Sequence, residues 1–234
     1  MSAGTRGVGR PNTPVLDRGA IVRAALDLLD EAGAKGFSIA LLAQRLRVRP
    51  SSLYNHVKGK DDILAGVREL VTAPIDAGAF ETLPWDEALV SWARLYRAAF
   101  AAHPQTISLL ATIPVSGAHR TLRMYEAVVR GLERGGWPTE AVIPVLVGVE
   151  SFILGSALDL VAPPTMFDPG PDSPEVPRFT AAVRARDQAA DAQRRPAADL
   201  AFEVSLLALV HGLRARLAGE RADRTADGGA PPLG

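Results

Sequence analysis

The sequence predicts an all-α protein, in which a small N-terminal unit of short helices precedes a larger helical body. Apolar residues recur at helical spacing along most of the chain, and convincing strand patterns are missing. The composition, 47% hydrophobic and 22% charged over 234 residues, is that of a globular protein with a sizeable core. The sequence contains no cysteine, which excludes disulfides and thiolate metal sites and agrees with a reducing compartment.

Short helices open the chain. The spacing of Ile21, Ala25 and Leu28 predicts a helix over residues 18–32, with Asp17 as its N-cap and Gly33 as its stop. Helices over residues 39–46 and 51–56 follow, and a fourth begins at residue 60 or 61 and runs to about residue 71. We therefore predict a disordered N-terminal tail over residues 1–16 and a three-helix head over residues 17–62.

Longer helices make up the predicted body, residues 63–218. They are expected over residues 85–102, 105–111, 117–135, 139–160, 178–192 and 196–217. Residues 74–84 are predicted as a linker, and residues 163–177, which contain six prolines, as a mobile loop. Residues 219–234 are predicted to be a disordered tail.

Charge is divided unevenly between these parts, although the formal net charge of the chain is zero. Residues 1–60 contain ten Lys/Arg against four Asp/Glu, which leaves sixteen Lys/Arg against 22 Asp/Glu in the remainder. A basic head on an acidic body favours contact between the head and phosphates.

The second and third helices have the pattern of a helix-turn-helix. Leu42, Ala43 and Leu53 are spaced to interlock, which leaves polar side chains projecting from the third helix. Ser and Asn side chains there suit base edges in the major groove, Tyr and His suit phosphates, and the lysines that follow are point charges for the backbone. The candidate DNA contacts are Ser38, Ala40, Arg49, Ser51, Ser52, Tyr54, Asn55, His56, Lys58 and Lys60.

Several of these residues are also compatible with a purely structural role. Tyr54 could stack on the surface of the head, and His56 could cap a helix or pack inside the head. Arg45, Arg47 and Arg49 fit a solvated surface as well as phosphate contact.

Three runs resemble the DNA-binding domain of TetR-family repressors: Leu-Leu-Asp-Glu-Ala-Gly at 28–33, Leu-Ala-Gln-Arg-Leu at 42–46, and Ser-Leu-Tyr-Asn-His-Val-Lys-Gly-Lys at 52–60. The body is similar, more weakly, to the tetracycline-repressor branch at 85–103, 135–136, 152–155 and 212–217. The resemblance implies DNA contacts at Ser52, Tyr54, Asn55 and His56 and a backbone contact at Lys60. Ala40 stands where that branch has a base-reading arginine, so the tetracycline operator is not the expected target.

Aromatic residues of the body suggest an apolar effector pocket, with ordinary core packing as the alternative for each of them. The resemblance favours Trp92, Tyr96 and Asp159 as lining residues. It also places Leu109 or Leu110 where the branch has a metal-binding histidine, and leucine cannot bind a metal. Neither a metal nor a cofactor is therefore expected. The favoured effector is a molecule more apolar than a metal–tetracycline chelate. Possible polar anchors are Arg123, Glu150, Ser151 and Asp159. The candidate pocket residues are Trp92, Tyr96, Phe100, Leu109, Leu110, Ile113, Tyr125, Phe152 and Asp159.

Two helices, near residues 139–160 and 196–217, are apolar over more faces than a monomeric bundle needs. The family forms an intermolecular four-helix bundle from such helices, so a homodimer on a two-fold operator is expected. The alternative is that both are only core helices of a single chain. A membrane span over 141–161 is not expected, because Pro144, Glu150 and Asp159 interrupt the stretch.

The sequence thus predicts a cytoplasmic, ligand-responsive transcriptional repressor that binds operator DNA, a small largely apolar effector and a second copy of itself. The first alternative is an interaction protein that has kept the fold but lost operator binding. The second is an enzyme, which is disfavoured because the four histidines are scattered and no G-x-S-x-G, Walker or zinc signature occurs.

Overall fold

The computed structural model describes residues 16–227, and these residues form α-helices, short 3₁₀ turns and loops without a strand. The all-α prediction is therefore confirmed. The first four helices are α1 (Arg18–Ala32), α2 (Ile39–Arg45), α3 (Pro50–Leu53) and α4 (Lys60–Thr72). The predicted caps of α1 are confirmed: Asp17 Oδ1 accepts a hydrogen bond from the Ala20 N–H at 2.7 Å, and Gly33 ends the helix with φ 64°.

Seven further helices make up the body. They are α5 (Ala79–Thr82), α6 (Trp85–Ala101), α7 (Ile107–Leu110), α8 (His119–Arg134), α9 (Thr139–Leu160), α10 (Pro177–Gln193) and α11 (Ala197–Asp227). The centre of the body is α6, which packs against α4, α5, α8, α9 and α11. Its inward side chains are almost wholly buried because helices surround it, and they include Trp92, Tyr96 and Phe100.

Buried Arg97 joins α6 to the start of α11. Its guanidinium donates to Asp199 Oδ1 at 2.6 Å and to the Ala198 carbonyl at 3.1 Å, and lies 4.5 Å from the centre of the Phe202 ring. This set of contacts neutralises and satisfies a charge that would otherwise be costly to bury.

A close approach between α5 and α8 depends on a glycine. A Cβ at Gly131 would overlap the Phe80 ring, so only glycine leaves room for this aromatic side chain. Phe80 in turn packs edge-on against Trp92, with 6.4 Å between ring centres.

Four differences from the prediction go beyond one or two residues at a helix end. The third helix ends at Leu53 rather than residue 56, because the chain tightens into a turn after Pro50–Leu53. The segment predicted as a linker contains α5, which buries Phe80. The proline-rich segment contains two 3₁₀ turns, Pro164–Phe167 and Gly170–Asp172. The last helix continues to Asp227, beyond the predicted start of the C-terminal tail at residue 219, because residues 220–227 contain neither glycine nor proline. Residues 1–15 and 228–234, also predicted to be disordered, lie outside the described residues.

Polar contacts from α1 and α4 hold the α7 segment. The Oδ2 atom of Asp30, on α1, lies 2.8 Å from Nδ1 of His103, which stands at the turn between α6 and α7. Arg68 of α4 donates through Nη2 to the carbonyls of Leu110 and Ile113, at 2.6 and 2.9 Å. The α7 segment is thus held at its start by α1 and at its end by α4.

Candidate DNA-binding and effector sites

The helix-turn-helix is closed by buried apolar residues. Leu42 of α2 and Leu53 of α3 are fully buried, and Ala43 allows the two helices to approach. Between them Arg47 has φ 56°, in the left-handed region that favours glycine, and this lets the Val48 N–H reach the Ala43 carbonyl at 3.0 Å. The turn therefore sets the angle at which α3 leaves α2.

Polar residues after α3 form an exposed surface. The N–H groups of His56 and Val57 both donate to the Leu53 carbonyl, at 2.9 and 3.1 Å, so the backbone turns immediately after the helix. Tyr54 is 55% exposed, and Asn55 and His56 are also exposed, whereas Val57 is buried and anchors the turn. Tyr54 therefore does not pack inside the head.

Other predicted DNA contacts surround this surface. Ser38 caps α2, since its Oγ accepts from the Leu41 N–H at 3.2 Å, and it is only half-exposed. Ala40 is exposed on the first turn of the same helix. Arg49, Ser51, Lys58 and Lys60 are exposed, and Ser52 is half-buried.

The α3–α4 turn is held by Asp62. This carboxylate accepts from Arg18 Nη2 at 2.8 Å and from the Lys58 N–H at 3.0 Å. Burial opposes ionisation of Asp62, but the hydrogen bonds from Arg18 and Lys58 outweigh it, so the pKa of the carboxyl is lowered. The Lys58 backbone is thereby fixed while its side chain stays exposed.

Two basic side chains of the head have partners of their own. Arg45 forms a two-pronged ion pair with Glu31, at 2.6 and 2.7 Å. Lys60 Nζ lies 5.6 Å from the centre of the Phe37 ring. A cleft of about 860 Å³ separates the α3–α4 turn from the loop after α7, and Tyr54, His56 and Lys58 line its head side.

Within the body, several predicted pocket residues meet around Tyr96. The Tyr96 ring stacks on Phe100 with 4.8 Å between centres and meets Trp92 at 4.9 Å. Tyr125 Oη donates to Glu150 Oε1 at 2.6 Å and lies 3.4 Å from Tyr96 Oη. Helices α6, α8 and α9 therefore supply one aromatic and polar cluster, which we call the Tyr96 cluster: Trp92, Tyr96, Phe100, Tyr125 and Glu150.

Burial shifts the titration of this cluster. Desolvation raises the pKa of Glu150, because the ionised carboxylate loses water, although hydrogen bonds from tyrosine partly oppose the effect. Desolvation also raises the pKa values of Tyr96 and Tyr125, with the Glu150 charge adding to it, so both phenols stay protonated.

The remaining predicted pocket residues have other contacts. Phe152 stacks on Phe202 of α11, with ring centres 5.5 Å apart. Asp159 lines a different cavity, of about 420 Å³, between the end of α9, the proline-rich segment, α10 and α11. Leu109, Leu110 and Ile113 lie at the end of α7, where the Leu110 and Ile113 carbonyls accept hydrogen bonds from Arg68.

Sequence reasoning missed Arg68. It is 6% exposed, and its Nε has no hydrogen-bond partner. The available signal was its place beside Leu64, Val67 and Val71 on the apolar face of α4, where an arginine needs buried acceptors. Those acceptors are backbone carbonyls more than forty residues away, which no local pattern reveals.

Exposed apolar side chains line one side of α9 and of α11. Ile143 and Val147 on α9 are 56% and 53% exposed, and Val204 on α11 is 71% exposed. Four glycines interrupt these helices at seven-residue spacing, and a Cβ at any of them would meet no atom within 4 Å: Gly148, Gly155, Gly212 and Gly219. By length and composition α9 is also apolar enough to cross a membrane, and about a third of it is buried in this chain.

Two family models match the chain. The model described as "Bacterial regulatory proteins, tetR family" matches residues 21–67, and "Tetracyclin repressor-like, C-terminal domain" matches residues 80–217. The two matches cover both the helix-turn-helix and the Tyr96 cluster.

Curated relatives and a solved structure agree with these models. The chain is 29% identical to the class A tetracycline repressor from transposon 1721 of Escherichia coli, over 88% of this chain and 91% of that protein. It is 31% identical to a helix-turn-helix transcriptional regulator of Saccharopolyspora erythraea, over 61% of this chain but only 60% of that relative's length. A crystal structure of a possible TetR family transcriptional regulator from Streptomyces coelicolor A3(2) matches with a TM-score of 0.68 at 26% identity, over 85% of this chain and 99% of that one.

Proposed function

We propose that this chain, which belongs to the TetR family of bacterial regulatory proteins, represses transcription by binding an operator and leaves it when an effector enters the body. The observation that carries the proposal is the exposed surface after α3, in which Tyr54, Asn55 and His56 project from a turn anchored by buried Val57. Exposed polar side chains at the end of a short helix suit a major groove.

Each contact residue has a role in this proposal. Ser51, Ser52 and Asn55 read base edges, where hydroxyl and amide groups match the donors and acceptors of the major groove. Tyr54 and His56 bind phosphates, and Arg49, Lys58 and Lys60 supply charge to the backbone. Ala40 offers only a methyl contact, and Ser38 acts mainly through the N-terminus of α2 that it caps.

Operator binding is tested on DNA selected by the purified protein from a random pool, with affinity followed by fluorescence anisotropy across a salt series. Lys58→Ala weakens binding to all sequences and reduces the slope of log affinity against log salt by about one. Asn55→Ala instead relaxes the preference at one or two base pairs. Arg130→Ala, at an exposed position of α8, is the control and leaves both the affinity and the sequence preference unchanged. The proposal is contradicted if no variant loses sequence preference, or if the wild type binds unselected DNA as tightly as selected DNA.

Family members act as dimers, and for this chain we propose α9 and α11 as the dimer helices. Their exposed apolar side chains support this, since contiguous apolar surface on a single chain marks an interface. The spaced glycines support it further, because a glycine inside a helix costs about 1 kcal/mol and allows a second helix to approach closely.

The contacts of α7 offer a route from effector to DNA. A ligand that enters between α6, α8 and α9 displaces the end of α7, whose carbonyls are bound by Arg68 of α4. Movement of α4 shifts the head through Asp62 and Arg18, and the spacing of the two heads in a dimer changes.

The same proposal assigns the chain to the cytoplasm, where operator DNA lies, and gives it no catalytic role. The family consists of transcriptional regulators. The proposal also divides the chain into a DNA-binding head over residues 17–62 and a body over residues 63–218. The body binds the effector and the second copy.

A further inference from the structure

The chemistry of the Tyr96 cluster indicates which class of effector this protein takes. The inference rests on the proposed function, because it assumes that the effector enters the body at this cluster. Helices α6, α8 and α9 converge there, and the three ionisable side chains in contact are Tyr96, Tyr125 and Glu150. Glu150 is the one acid among them.

Glu150 has a hydrogen-bond donor but lacks a counter-ion. Tyr125 donates to it at 2.6 Å, and within residues 16–227 no ion pair joins this carboxylate to a Lys, Arg or His side chain. Arg68 is the cationic group whose field reaches it, but the Nη2 of Arg68 is committed to two backbone carbonyls. A shielded carboxylate without a paired cation is unfavourable, and a bound cation removes that cost.

Electron-rich rings stand beside this carboxylate. Trp92, Tyr96 and Phe100 follow one another at four-residue spacing on α6 and are in ring contact, at 4.9 and 4.8 Å. The Trp92 Nε1–H is buried and has no hydrogen-bond partner. Aromatic faces attract organic cations, most strongly where water is excluded.

From these observations we propose that the effector is an amphiphilic organic cation. Its ammonium or delocalised nitrogen cation pairs with Glu150, and its apolar part packs on the rings of Trp92, Tyr96 and Phe100. Entry breaks the 3.4 Å contact between the Tyr96 and Tyr125 hydroxyls, which is the weakest hydrogen bond in the cluster. An anionic effector would be drawn to Arg68 instead, so the charge of the probe distinguishes a cationic from an anionic effector class.

Shape-matched probes test the proposal. Phenyltrimethylammonium and tert-butylbenzene have the same shape and differ in charge, and tetraphenylphosphonium and tetraphenylborate form a larger pair of opposite charge. Binding to the full-length protein is followed by titration calorimetry in sodium buffer. We expect each cation to bind at least tenfold more tightly than its neutral or anionic counterpart.

Glu150→Gln tests the residue, since the amide keeps an acceptor for Tyr125 but has no charge. We expect it to lose at least tenfold in affinity for the cations and to bind tert-butylbenzene unchanged, which a merely structural role of Glu150 would not produce. Glu140→Gln, at an exposed acid on the same helix, is the matched control. Glu150→Met serves as a second variant of similar volume if the glutamine variant fails to fold.

Two results overturn the inference: anionic or neutral probes that bind as well as the cations, or cation affinity that is unchanged in both Glu150 variants. Operator binding is measured on the same preparations, so that the two proposals fail separately. Glu150-dependent cation binding without any operator binding would refute the proposed function alone. Operator binding with release by a neutral probe would refute the cation class alone.

Discussion

At the scale of the residue, two ionisable side chains inside the body differ in burial: Glu150 is half-buried and Arg68 is buried. Desolvation raises the pKa of Glu150, and Arg68 is buried with backbone carbonyls as its partners. Neither forms an ion pair with a side chain among residues 16–227. The surroundings of each group therefore depend on how the neighbouring helices pack.

The raised pKa of Glu150 predicts a pH dependence of stability. The folded protein holds this proton at a higher pH than the unfolded chain, so the free energy of unfolding falls as pH rises from the unfolded pKa through the folded pKa. Glu150→Gln removes this loss. We expect the stability of the variant relative to wild type to increase over that window, measured by urea unfolding at successive pH values. A difference that stays constant with pH would refute the expectation.

Arg68→Met should destabilise the protein by about 1–3 kcal/mol, because the buried Leu110 carbonyl and the half-buried Ile113 carbonyl lose their donor. Thermal or urea unfolding measures the loss. Arg120→Met is the matched control, since Arg120 makes the same kind of bond to the Ala73 carbonyl from an exposed position. Equal losses in the two variants would argue against a special role for Arg68.

At the scale of the element, the helices followed from periodicity wherever their apolar face was continuous. The bounds of α1 and α9 agree with the predicted 18–32 and 139–160. The short helices were harder, because α5 has four residues and its burial depends on Phe80 fitting against α8. Likewise the rings of Trp92, Tyr96 and Phe100 were predictable as one face of α6. The ring partner of Phe152 and the cavity that Asp159 lines were not, because they depend on how α11 and α10 pack.

Gly131→Ala tests the contact between α5 and α8. The added methyl overlaps the Phe80 ring, and we expect a loss of about 1–3 kcal/mol in unfolding free energy, as for other overpacked cores. Combining it with Phe80→Leu should cost less than the sum of the two single changes, because the smaller side chain relieves the overlap. Strict additivity would mean that the two residues do not interact.

At the scale of the whole molecule, the chain joins a basic head to an acidic body. Formal neutrality hides this arrangement, since 26 basic and 26 acidic residues cancel in the total. The acidic body repels DNA, so the field favours an approach with the heads forward.

Gly212→Leu tests the dimer helices. In the single chain the new side chain meets open space, but between two closely packed copies it has no room. We expect the dimer dissociation constant to rise at least tenfold, measured by sedimentation at several concentrations, with little change in helix content. Ala98→Leu, at an exposed position of α6, is the control and leaves the dimer intact. A dimer that tolerates leucine at 212 would place the interface elsewhere.

The joint between head and body has a consequence for engineering. Helix α4 runs from Lys60 to Thr72 and carries both Asp62, which binds the first helix, and Arg68, which binds the end of α7. A chimera that exchanges heads between regulators at residue 62 would cut through the first turn of this helix. A transplant meant to keep its response to effector must move α1–α4 as one block and must bring matching partners for Asp30 and Arg68 on the recipient's α7 segment.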